Sequence, residues 1–565
     1  MEQVKEVREG AKKKRVWPWV LVTVLVLAAA GVACWYFWPR PLVLAEAYVA
    51  ADLETVTVYD EEGAAAGEIV RGSTVTYVVE EEDEERPGMI RLVVGDVEEK
   101  VFHWIAAEHL TDDATKVVTT EKMYVRTPLC LLDETGAVPG ELVEAGEALT
   151  VIGFEGLDET GFVARYKVTA MATDGSVAEG YVRADYLRRT EEDALKRDNE
   201  EIWEIHAKRG DPYDGGDAAG LDYHPREKTP IEGNVMPDEV KALYLNNEFV
   251  ADVDTYLDIA DGCGINAFVI DIQDGGAIGY ASPTMQKYSP TAYEAAWNDL
   301  DEYQAAVKKI KDAGYYVVGR ITTFNDPYFA EDHPEYLIAG TNGKPLKIGG
   351  MYWPSAYQRY VWQYKVDLAL EAVELMGFNE IQFDYVRFPD GTWWFDDDEI
   401  DYRNVYGESK AQAIQRFLMY AYDRLHEAGA YISADVFGEC SMGYVCAYGQ
   451  YWPAISNVVD AISAMPYPDH YSASGDWLPW EHPYDVLYSF GASAAERQTE
   501  TSSPAAVRTW IQAYSAIREP YTYYGPNQVA AQIKALRDTG NTGGYMTWNG
   551  ASSISKYYDI QSALN

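Results

Sequence analysis

Between about Pro237 and the C-terminus, apolar strand-like runs alternate with helical stretches, and this alternation restricts the possible folds more than any other feature of the sequence. Helical stretches such as LDEYQAAVKKIKDAG end in glycine, as helix C-caps often do. Eight strand–helix units in about 325 residues predict an α/β fold, the (β/α)8 TIM barrel, over residues 237–565. An open doubly wound sheet is the alternative, but no glycine-rich phosphate loop follows the first strand. The eight predicted strands are residues 241–247, 267–274, 315–324, 380–388, 431–438, 461–468, 507–514 and 543–550.

Three of the predicted strands carry polar residues in register with one another. Side chains alternate between the two faces of a strand, so polar residues two positions apart point to the same side. The pairs that share a face in this way are Asp271 and Gln273, Gln382 and Asp384, and Ser433 and Asp435. The apolar residues between them are expected to pack under the helices, which places the polar face inside the barrel. Because TIM-barrel active sites lie at the C-terminal ends of the strands, we expect the three aspartates to converge at the barrel mouth.

Carboxyl groups that converge at such a mouth can carry out glycoside hydrolysis. One acid protonates the leaving oxygen, and a second carboxylate attacks the sugar or activates water. Crowding and burial raise the pKa of one carboxyl group, which lets it act as the acid near neutral pH. The alternative is that the aspartates pair with Arg320, Arg387 or backbone amides and only stabilise loops. Three aspartates in register favour the catalytic interpretation.

The segment EIQFDYVRFP, residues 380–389, resembles the signature of the bacterial putative glycosyl hydrolase domain family, a (β/α)8 family of unknown substrate. The resemblance extends in order over about residues 237–560. Gln273 stands where the family often has lysine, and Asp469 stands where a serine usually precedes His470. Both positions lie near the predicted mouth, so substrate choice is expected to differ from that of relatives. Further segments that resemble the family are VKALYLN, GINAFVIDIQD, GRITTFNDP, ISADVFG, MPYPDHY, WIQAY and GYMTWN.

This family in turn resembles the α-amylase-like superfamily, and the resemblance implies roles for individual carboxyl groups. It implies that Asp384 is the nucleophile and Asp435 the acid/base, with Glu439 a less favoured substitute for Asp435. A rival layout keeps Asp384 and takes the acid from strand six, at Asp469. A nucleophile after strand seven fits poorly, because VRTWIQAY has no carboxylate. The proton donor is therefore left open between Asp435 and Asp469, and retention of configuration is expected if Asp384 is the nucleophile.

Substrate-binding residues are expected around these carboxyl groups. Arg387 is expected to keep Asp384 ionised, because a nearby cation favours the charged form of a carboxyl group; the alternative is that it holds the following loop. The acidic loop GTWWFDDDEIDY lacks EF-hand spacing, and no metal site is predicted there. The predicted substrate-binding residues are Asp271, Arg320, Tyr385, Arg387, Tyr467, His470 and Trp548, and further candidate sugar platforms are Trp393, Trp394 and Trp452.

Residues 45–190 contain an internal repeat of short β-type segments. VYDEEGAAAGEIV (58–70) aligns with LLDETGAVPGELV (131–143), and HWIAAEHL (103–110) aligns with GYVRADYL (180–187). Period-2 alternation with glycine-rich turns predicts two small all-β modules, residues 45–112 and 116–189. Their order of elements and closing turn resemble bacterial SH3-like domains, which implies either peptidoglycan binding or a spacer role. Residues 190–236 are predicted to form a helical connector followed by a loop.

The first 40 residues carry the pattern of a membrane anchor. Residues 16–38 contain no charge and are long enough to span a bilayer, with tryptophans near both ends. The basic run KKKR precedes them, which predicts a cytoplasmic tail at residues 1–15 and a single-pass signal anchor in the cell membrane. The bulk of the chain is then expected to be extracytoplasmic. A cleaved signal peptide is the rival interpretation.

Composition excludes several functions. A formal net charge of -45 argues against a nucleic-acid partner, because no basic stripe exists to neutralise phosphates. The five cysteines match no structural zinc spacing, although Cys440 and Cys446 could close one loop, and no cofactor is predicted. The chain is therefore expected to be a membrane-anchored glycoside hydrolase acting on a cell-envelope or environmental polysaccharide. The alternatives are a non-catalytic polysaccharide- or cell-wall-binding protein built on a decayed barrel, and a lyase or transglycosylase.

Overall fold

The computed structural model describes residues 42–50, 55–79, 86–94, 101–112, 122–127, 129–136, 138–157, 163–171, 175–196, 215–216, 218–226, 228–396 and 399–565. The predicted cytoplasmic tail and the predicted membrane anchor, residues 16–38, lie outside these described residues, as do residues 197–214, 217 and 227 of the predicted connector and loop. Within the described ranges, no helix combines the length and the apolar character needed to cross a membrane.

The N-terminal region is all-β, as predicted, and contains two seven-stranded antiparallel sheets. The first sheet has the order β3-β2-β6-β5-β4-β1-β7 and the second the order β10-β9-β13-β12-β11-β8-β14, so the two topologies are identical. In each sheet one turn of 3-10 helix, Ala107–His109 or Ala184–Tyr186, precedes the last strand. The strands are β1 Leu44–Val49, β2 Thr55–Tyr59, β3 Ala65–Val70, β4 Thr74–Val78, β5 Met89–Val93, β6 Phe102–Ala106, β7 Leu110–Thr111, β8 Lys122–Val125, β9 Leu129–Leu132, β10 Pro139–Val143, β11 Ala148–Leu157, β12 Val163–Met171, β13 Val177–Arg183 and β14 Leu187–Arg188.

The C-terminal region forms a near-closed parallel β-barrel. Its strands are β15 Val240–Leu245, β16 Ala267–Asp274, β19 Tyr316–Thr322, β23 Glu380–Asp384, β25 Tyr431–Phe437, β26 Ala461–Met465, β27 Ala506–Val507, β28 Thr509–Gln512 and β29 Gly544–Trp548. Consecutive strands pair in parallel, and β29 pairs with β15. The seventh strand is split at Arg508 into β27, which pairs with β26, and β28, which pairs with β29. Smaller strands in the loops are β17 Ala277–Tyr280, β18 Ala296–Asn298, β20 Ala339–Gly340, β21 Lys347–Ile348, β22 Met351–Tyr352 and β24 Ile400–Asp401.

Helices follow most of the barrel strands and cover their apolar faces. The helix Arg359–Met376 ends at Gly377, whose φ of 66° is the left-handed conformation that glycine adopts at a helix C-cap. The helices are α1 Glu191–Leu195, α2 Val253–Asp261, α3 Pro283–Tyr288, α4 Pro290–Glu294, α5 Leu300–Asp312, α6 Pro327–Asp332, α7 Arg359–Met376, α8 Lys410–Glu427, α9 Trp452–Ser456, α10 Pro483–Gln498, α11 Pro526–Asp538 and α12 Ile554–Ile560.

A buried ion pair closes the N-terminal end of the barrel interior. Arg508, at the break in the seventh strand, donates to both carboxylate oxygens of Glu380 at 2.7 and 2.8 Å. Both side chains are at most 1 % exposed. Ser433 also donates to Glu380, which places these polar residues on the interior face that strand alternation predicts. A charge buried this deeply is tolerated only when it is paired and hydrogen-bonded. The N-terminal end of the barrel interior is therefore filled. A site that is open to a ligand is expected at the C-terminal ends of the strands.

Candidate active site

Four aspartates surround the guanidinium group of Arg320 at the C-terminal ends of β16, β23 and β25. Asp271 accepts a hydrogen bond from Nη1 at 2.7 Å, and Asp274 lies 3.2 Å from the same nitrogen. Asp384 accepts from Nη2, and the Oδ2 atom of Asp435 lies 3.7 Å from Nε. All four carboxyl groups lie within 3.7 Å of the Arg320 guanidinium. The structure therefore brings the three aspartates predicted from strand register into a single cluster.

Asp384 is held in place by one backbone donor and one cation. The amide of Tyr385 donates to Oδ1 at 2.6 Å, while Arg320 contacts Oδ2. Tyr385 has a φ of 50°, which is unusual for a residue with a side chain and marks a strained turn directly after the strand. Each oxygen of Asp384 therefore accepts a hydrogen bond, and the carboxylate is fixed in one orientation at the end of the strand.

Asp435 lies in a different environment although it shares the same cation. It is 1 % exposed, and its Oδ1 atom accepts a hydrogen bond from the indole of Trp510 at 2.8 Å. Oδ2 is buried and has no hydrogen-bond partner. Burial, and then the negative charge of Asp384, raise the pKa of the Asp435 carboxyl group well above its ordinary range. Asp435 is therefore suited to hold a proton at neutral pH.

Asp271 lies beneath the other carboxyl groups, and it is fully buried. Burial raises its pKa to about 7, against the opposing effect of Arg320. Tyr244 donates its hydroxyl hydrogen to the second oxygen. Both carboxylate oxygens are therefore occupied by protein groups, and Asp271 supports Arg320 from below rather than facing a substrate.

Asp274 joins the cluster although strand register did not identify it. Its side chain is 37 % exposed, the most open of the four carboxylates. It is the last residue of β16, and a carboxylate at the C-terminal end of a barrel strand was the available signal. Gln273, expected beside Asp271 on the interior face, instead accepts a hydrogen bond from Lys365 of α7 at 2.7 Å. An irregularity in the pairing of β16 with β19 between Asp271 and Gln273 breaks the strict alternation.

The cation beside Asp384 is Arg320, and the expectation that Arg387 fills this role is wrong. Arg387 donates to the carbonyl of Phe388 at 3.0 Å and to Asp390 at 3.2 Å. Its guanidinium group also lies 4.4 Å from the ring centre of Phe437. Arg387 therefore fixes the loop after β23, which was its alternative role, because the turn at Tyr385 carries the chain away from the cluster.

The two other predicted carboxylates lie outside the Arg320 cluster. The oxygens of Asp469 accept hydrogen bonds from the Tyr514 hydroxyl at 2.8 Å and from the Ile517 amide at 3.2 Å. Glu439 accepts from two tyrosine hydroxyls, those of Tyr444 at 2.7 Å and Tyr448 at 2.9 Å. These contacts give Asp469 and Glu439 a role in holding the loops after the sixth, seventh and fifth strands.

Aromatic rings line one side of the cluster. Trp548 is half-buried, and the Arg320 guanidinium lies 5.2 Å from its ring centre. Tyr467 is stacked with Trp548 at 6.4 Å, and His470 packs edge-on against Tyr467 at 5.1 Å. Of these three rings, that of His470 is the most exposed, with 55 % of its side chain open to solvent. The further candidate Trp452 is fully buried and belongs to the core. The described residues contain no group of three or more histidine, cysteine, aspartate or glutamate side chains that could hold a metal ion.

A search of solved structures found proteins that are similar to parts of this chain. A crystal structure of a hypothetical protein from Ruminiclostridium thermocellum is 33 % identical over 34 % of this chain and 97 % of its own length, with a TM-score of 0.29. The PgaB glycoside hydrolase domain of Bordetella bronchiseptica is 12 % identical over 58 % of this chain and 99 % of its own length, with a TM-score of 0.43. A Flavobacterium johnsoniae chitobiase is 12 % identical over 57 % of this chain and 48 % of its own, with a TM-score of 0.40.

No curated protein matches the chain. The model of the family described as "putative glycosyl hydrolase domain" matches residues 242–554, more than half of the chain and almost all of the barrel. The match begins within β15 and ends at the start of α12, so it includes every strand that contributes to the Arg320 cluster. The chain therefore belongs to the putative glycosyl hydrolase domain family.

Proposed function

We propose that this protein is a retaining glycoside hydrolase, with Asp384 as the nucleophile and Asp435 as the acid/base. The observation that carries the proposal is the difference between two carboxyl groups on one cation. Asp384 has donors on both oxygens, whereas Asp435 is buried with one unpartnered oxygen and a raised pKa. A carboxyl group whose pKa is raised by burial is typical of the proton donor in glycosidases, and a second carboxylate beside it acts as the nucleophile.

The proposed reaction has two steps. Asp384 attacks the anomeric carbon while Asp435 donates its proton to the leaving oxygen, which breaks the glycosidic bond and leaves a glycosyl ester on Asp384. Asp435, now ionised, removes a proton from water, which attacks the same carbon and releases Asp384. Asp435 ends the cycle protonated, so all atoms and charges balance. Arg320 stays charged throughout and stabilises whichever carboxylate is ionised.

A polysaccharide is the proposed substrate because many exposed aromatic and apolar side chains lie in the loops that follow the barrel strands. Among the described barrel residues, most exposed large apolar side chains lie in loops after the C-terminal ends of strands, and Trp394 (79 %) and Tyr521 (69 %) are the most open aromatic ones. Exposed rings beside a pocket are typical of ligand-binding surfaces. The side chains concerned are Trp297, Met351, Tyr352, Trp394, Val405, Met442, Trp477, Ile517, Tyr521 and Tyr523.

The proposed location is the outer side of the cell membrane, with residues 16–38 as the anchor. The uncharged run after KKKR supports this placement. The test is to add protease to intact spheroplasts that carry the protein with a C-terminal tag. The protease is expected to remove the tag, and a tag that stays protected until lysis would contradict the placement. Binding of peptidoglycan by the N-terminal modules is proposed from their SH3-like resemblance.

The second candidate function is non-catalytic binding of polysaccharide. It is favoured by the contact of four carboxylates with one arginine, which a purely structural cluster would also show. The test is to screen the full-length protein in detergent against envelope, capsular and plant polysaccharides for release of reducing ends. Asp384→Asn and Asp435→Asn serve as matched variants. Cleavage by the wild type alone is expected, whereas binding without cleavage by all three proteins would favour the second function.

A further inference from the structure

The second β module, residues 122–188, packs against the outer helices of the barrel through charged and polar contacts. Asp423 of α8 accepts a hydrogen bond from the Tyr186 hydroxyl at 3.1 Å and lies 3.9 Å from Nε of Arg183. Arg126 forms a buried ion pair with Asp222 at 2.9 Å, and Asp222 is itself bonded through its backbone to Gln415 of α8. Ion pairs buried to this extent contribute only when the partners are held rigidly. This module and the barrel helices therefore share one packed interface.

Apolar groups complete this interface. Leu129, Leu132 and Tyr181 from the module line a narrow cleft, together with Trp362 of α7 and Met419 of α8. The face of the module that contains β9 and the end of β13 is thus turned towards the barrel. The barrel helices therefore cover part of that face.

The same contacts extend to a loop at the barrel mouth. Residues 399–409 belong to the loop that leads from Asp384 to α8, and Glu408 among them is 3 % exposed. The carboxylate of Glu408 accepts hydrogen bonds from Arg359 at 2.5 Å and from Arg416 at 2.6 Å. Each of these arginines is contacted from the module in turn, Arg359 by Cys130 at 3.1 Å and Arg416 by Glu144 at 3.5 Å.

The first β module lacks the residues that make these contacts, although its topology is identical. In the repeat alignment Arg183 corresponds to Ala106 and Tyr186 to His109. Glu144, one position beyond the aligned block, corresponds to Arg71, so even the sign of the charge is reversed. The barrel-facing residues are therefore a property of the second copy and not of the module fold.

We propose that the second β module supports the barrel and holds residues 399–409, in the loop that leads from Asp384 to α8, in position at the mouth through Arg359, Arg416 and Glu408. The module is then a positioning element for the site. The structural part of this proposal is independent of the proposed reaction, and only its kinetic consequence rests on it.

The test uses the full chain and hydrogen exchange of the peptides that cover residues 399–416. Glu144→Arg places in the second module the residue that the first module has, and it repels Arg416. Arg183→Glu removes a cation beside Asp423, and Ala106→Glu is the matched change at the aligned position of the first module. We expect exchange over 399–416 to be at least about tenfold faster in both second-module variants and unchanged in Ala106→Glu.

A kinetic measurement separates positioning from general stability. On a polysaccharide that the wild type cleaves, Glu144→Arg is expected to raise KM several-fold with little change in kcat, because the loop and not the carboxyl cluster is disturbed. Unchanged exchange over 399–416 in both second-module variants would overturn the proposal. Absence of any glycan cleavage by the wild type would count against the proposed function alone, since the exchange experiment does not depend on it.

Discussion

Removing the positive charge of Arg320 is the perturbation that most directly tests how the carboxyl cluster is stabilised. Arg320→Met leaves Asp271, Asp384 and Asp435 buried without the cation that they share. Taking one partner from a buried ion pair typically costs about 3–5 kcal/mol, because the remaining charge is uncompensated. The side chain of Arg320 is only 2 % exposed, so solvent screens this effect little. We therefore expect a loss of about 3–5 kcal/mol in the unfolding free energy at pH 8.

The loss is expected to depend on pH in a definite direction. Burial already raises the pKa of Asp271 to about 7 in the native protein, and removal of Arg320, which lowers the pKa of Asp271 and of Asp435, raises both further. The folded variant then holds protons that the unfolded chain releases above about pH 4. A state that binds more protons when folded loses stability as pH rises. The deficit of Arg320→Met should therefore be clearly smaller at pH 5 than at pH 8.

The assay is denaturant unfolding followed by tryptophan fluorescence at both pH values, with Arg387→Met as the matched control. Arg387 is similarly buried at the same mouth, but its carboxylate partner is the exposed Asp390. We expect the control to lose less stability, by an amount that does not change between pH 5 and pH 8. An equal loss for Arg320→Met at the two pH values, or a control that behaves in the same way, would refute the reasoning.

Three further predictions concern catalysis. Asp435→Ala should lower the rate of polysaccharide cleavage by about 10²–10⁴-fold, which is the usual contribution of a general acid. The variant should keep part of its rate on aryl glycosides, because their leaving group needs no proton. Equal losses on both substrates would exclude Asp435 as the acid. The wild-type rate should fall as pH rises through the raised pKa of Asp435 and this alkaline limb should vanish in Asp435→Ala, so a limb that persists would assign it to another group. Asp469→Asn should lower the melting temperature but leave the pH–rate profile in place, because its oxygens hold Tyr514 and Ile517; a displaced profile would return Asp469 to the chemistry.

The parallel barrel and the convergence of three aspartates could be predicted because both depend on local periodicity. Strand alternation places Asp384 and Asp435 on the interior face regardless of what the loops do. The same alternation fails at Gln273, where the pairing irregularity in β16 turns the side chain towards Lys365. The break of the seventh strand at Arg508 could not be predicted either, and Arg508 pairs there with Glu380, which is 128 residues away in the sequence.

Long-range pairing also explains the exchange of roles between the two arginines. Arg387 is near Asp384 in sequence, and this proximity favoured it as the partner. Tyr385 adopts a left-handed conformation that no sequence pattern indicates, and the chain turns away before Arg387. Arg320 reaches Asp384 from the adjacent strand. The residue that pairs with Arg320 in the sheet lies two positions before Asp384. The contact of the second β module with α7 and α8 has the same character, because no repeat pattern shows which face a partner covers.

The central claim is that Asp384 attacks the sugar and forms a covalent intermediate. The most direct measurement is mass spectrometry of peptides after treatment of the full-length protein with a panel of glycosyl epoxide or 2-fluoroglycoside inactivators. The account predicts a single glycosyl adduct on the peptide that contains EIQFDYVRFP, localised to Asp384 and absent from Asp384→Asn. An adduct on another carboxyl group, or glycan cleavage that inverts the anomeric centre, would contradict it.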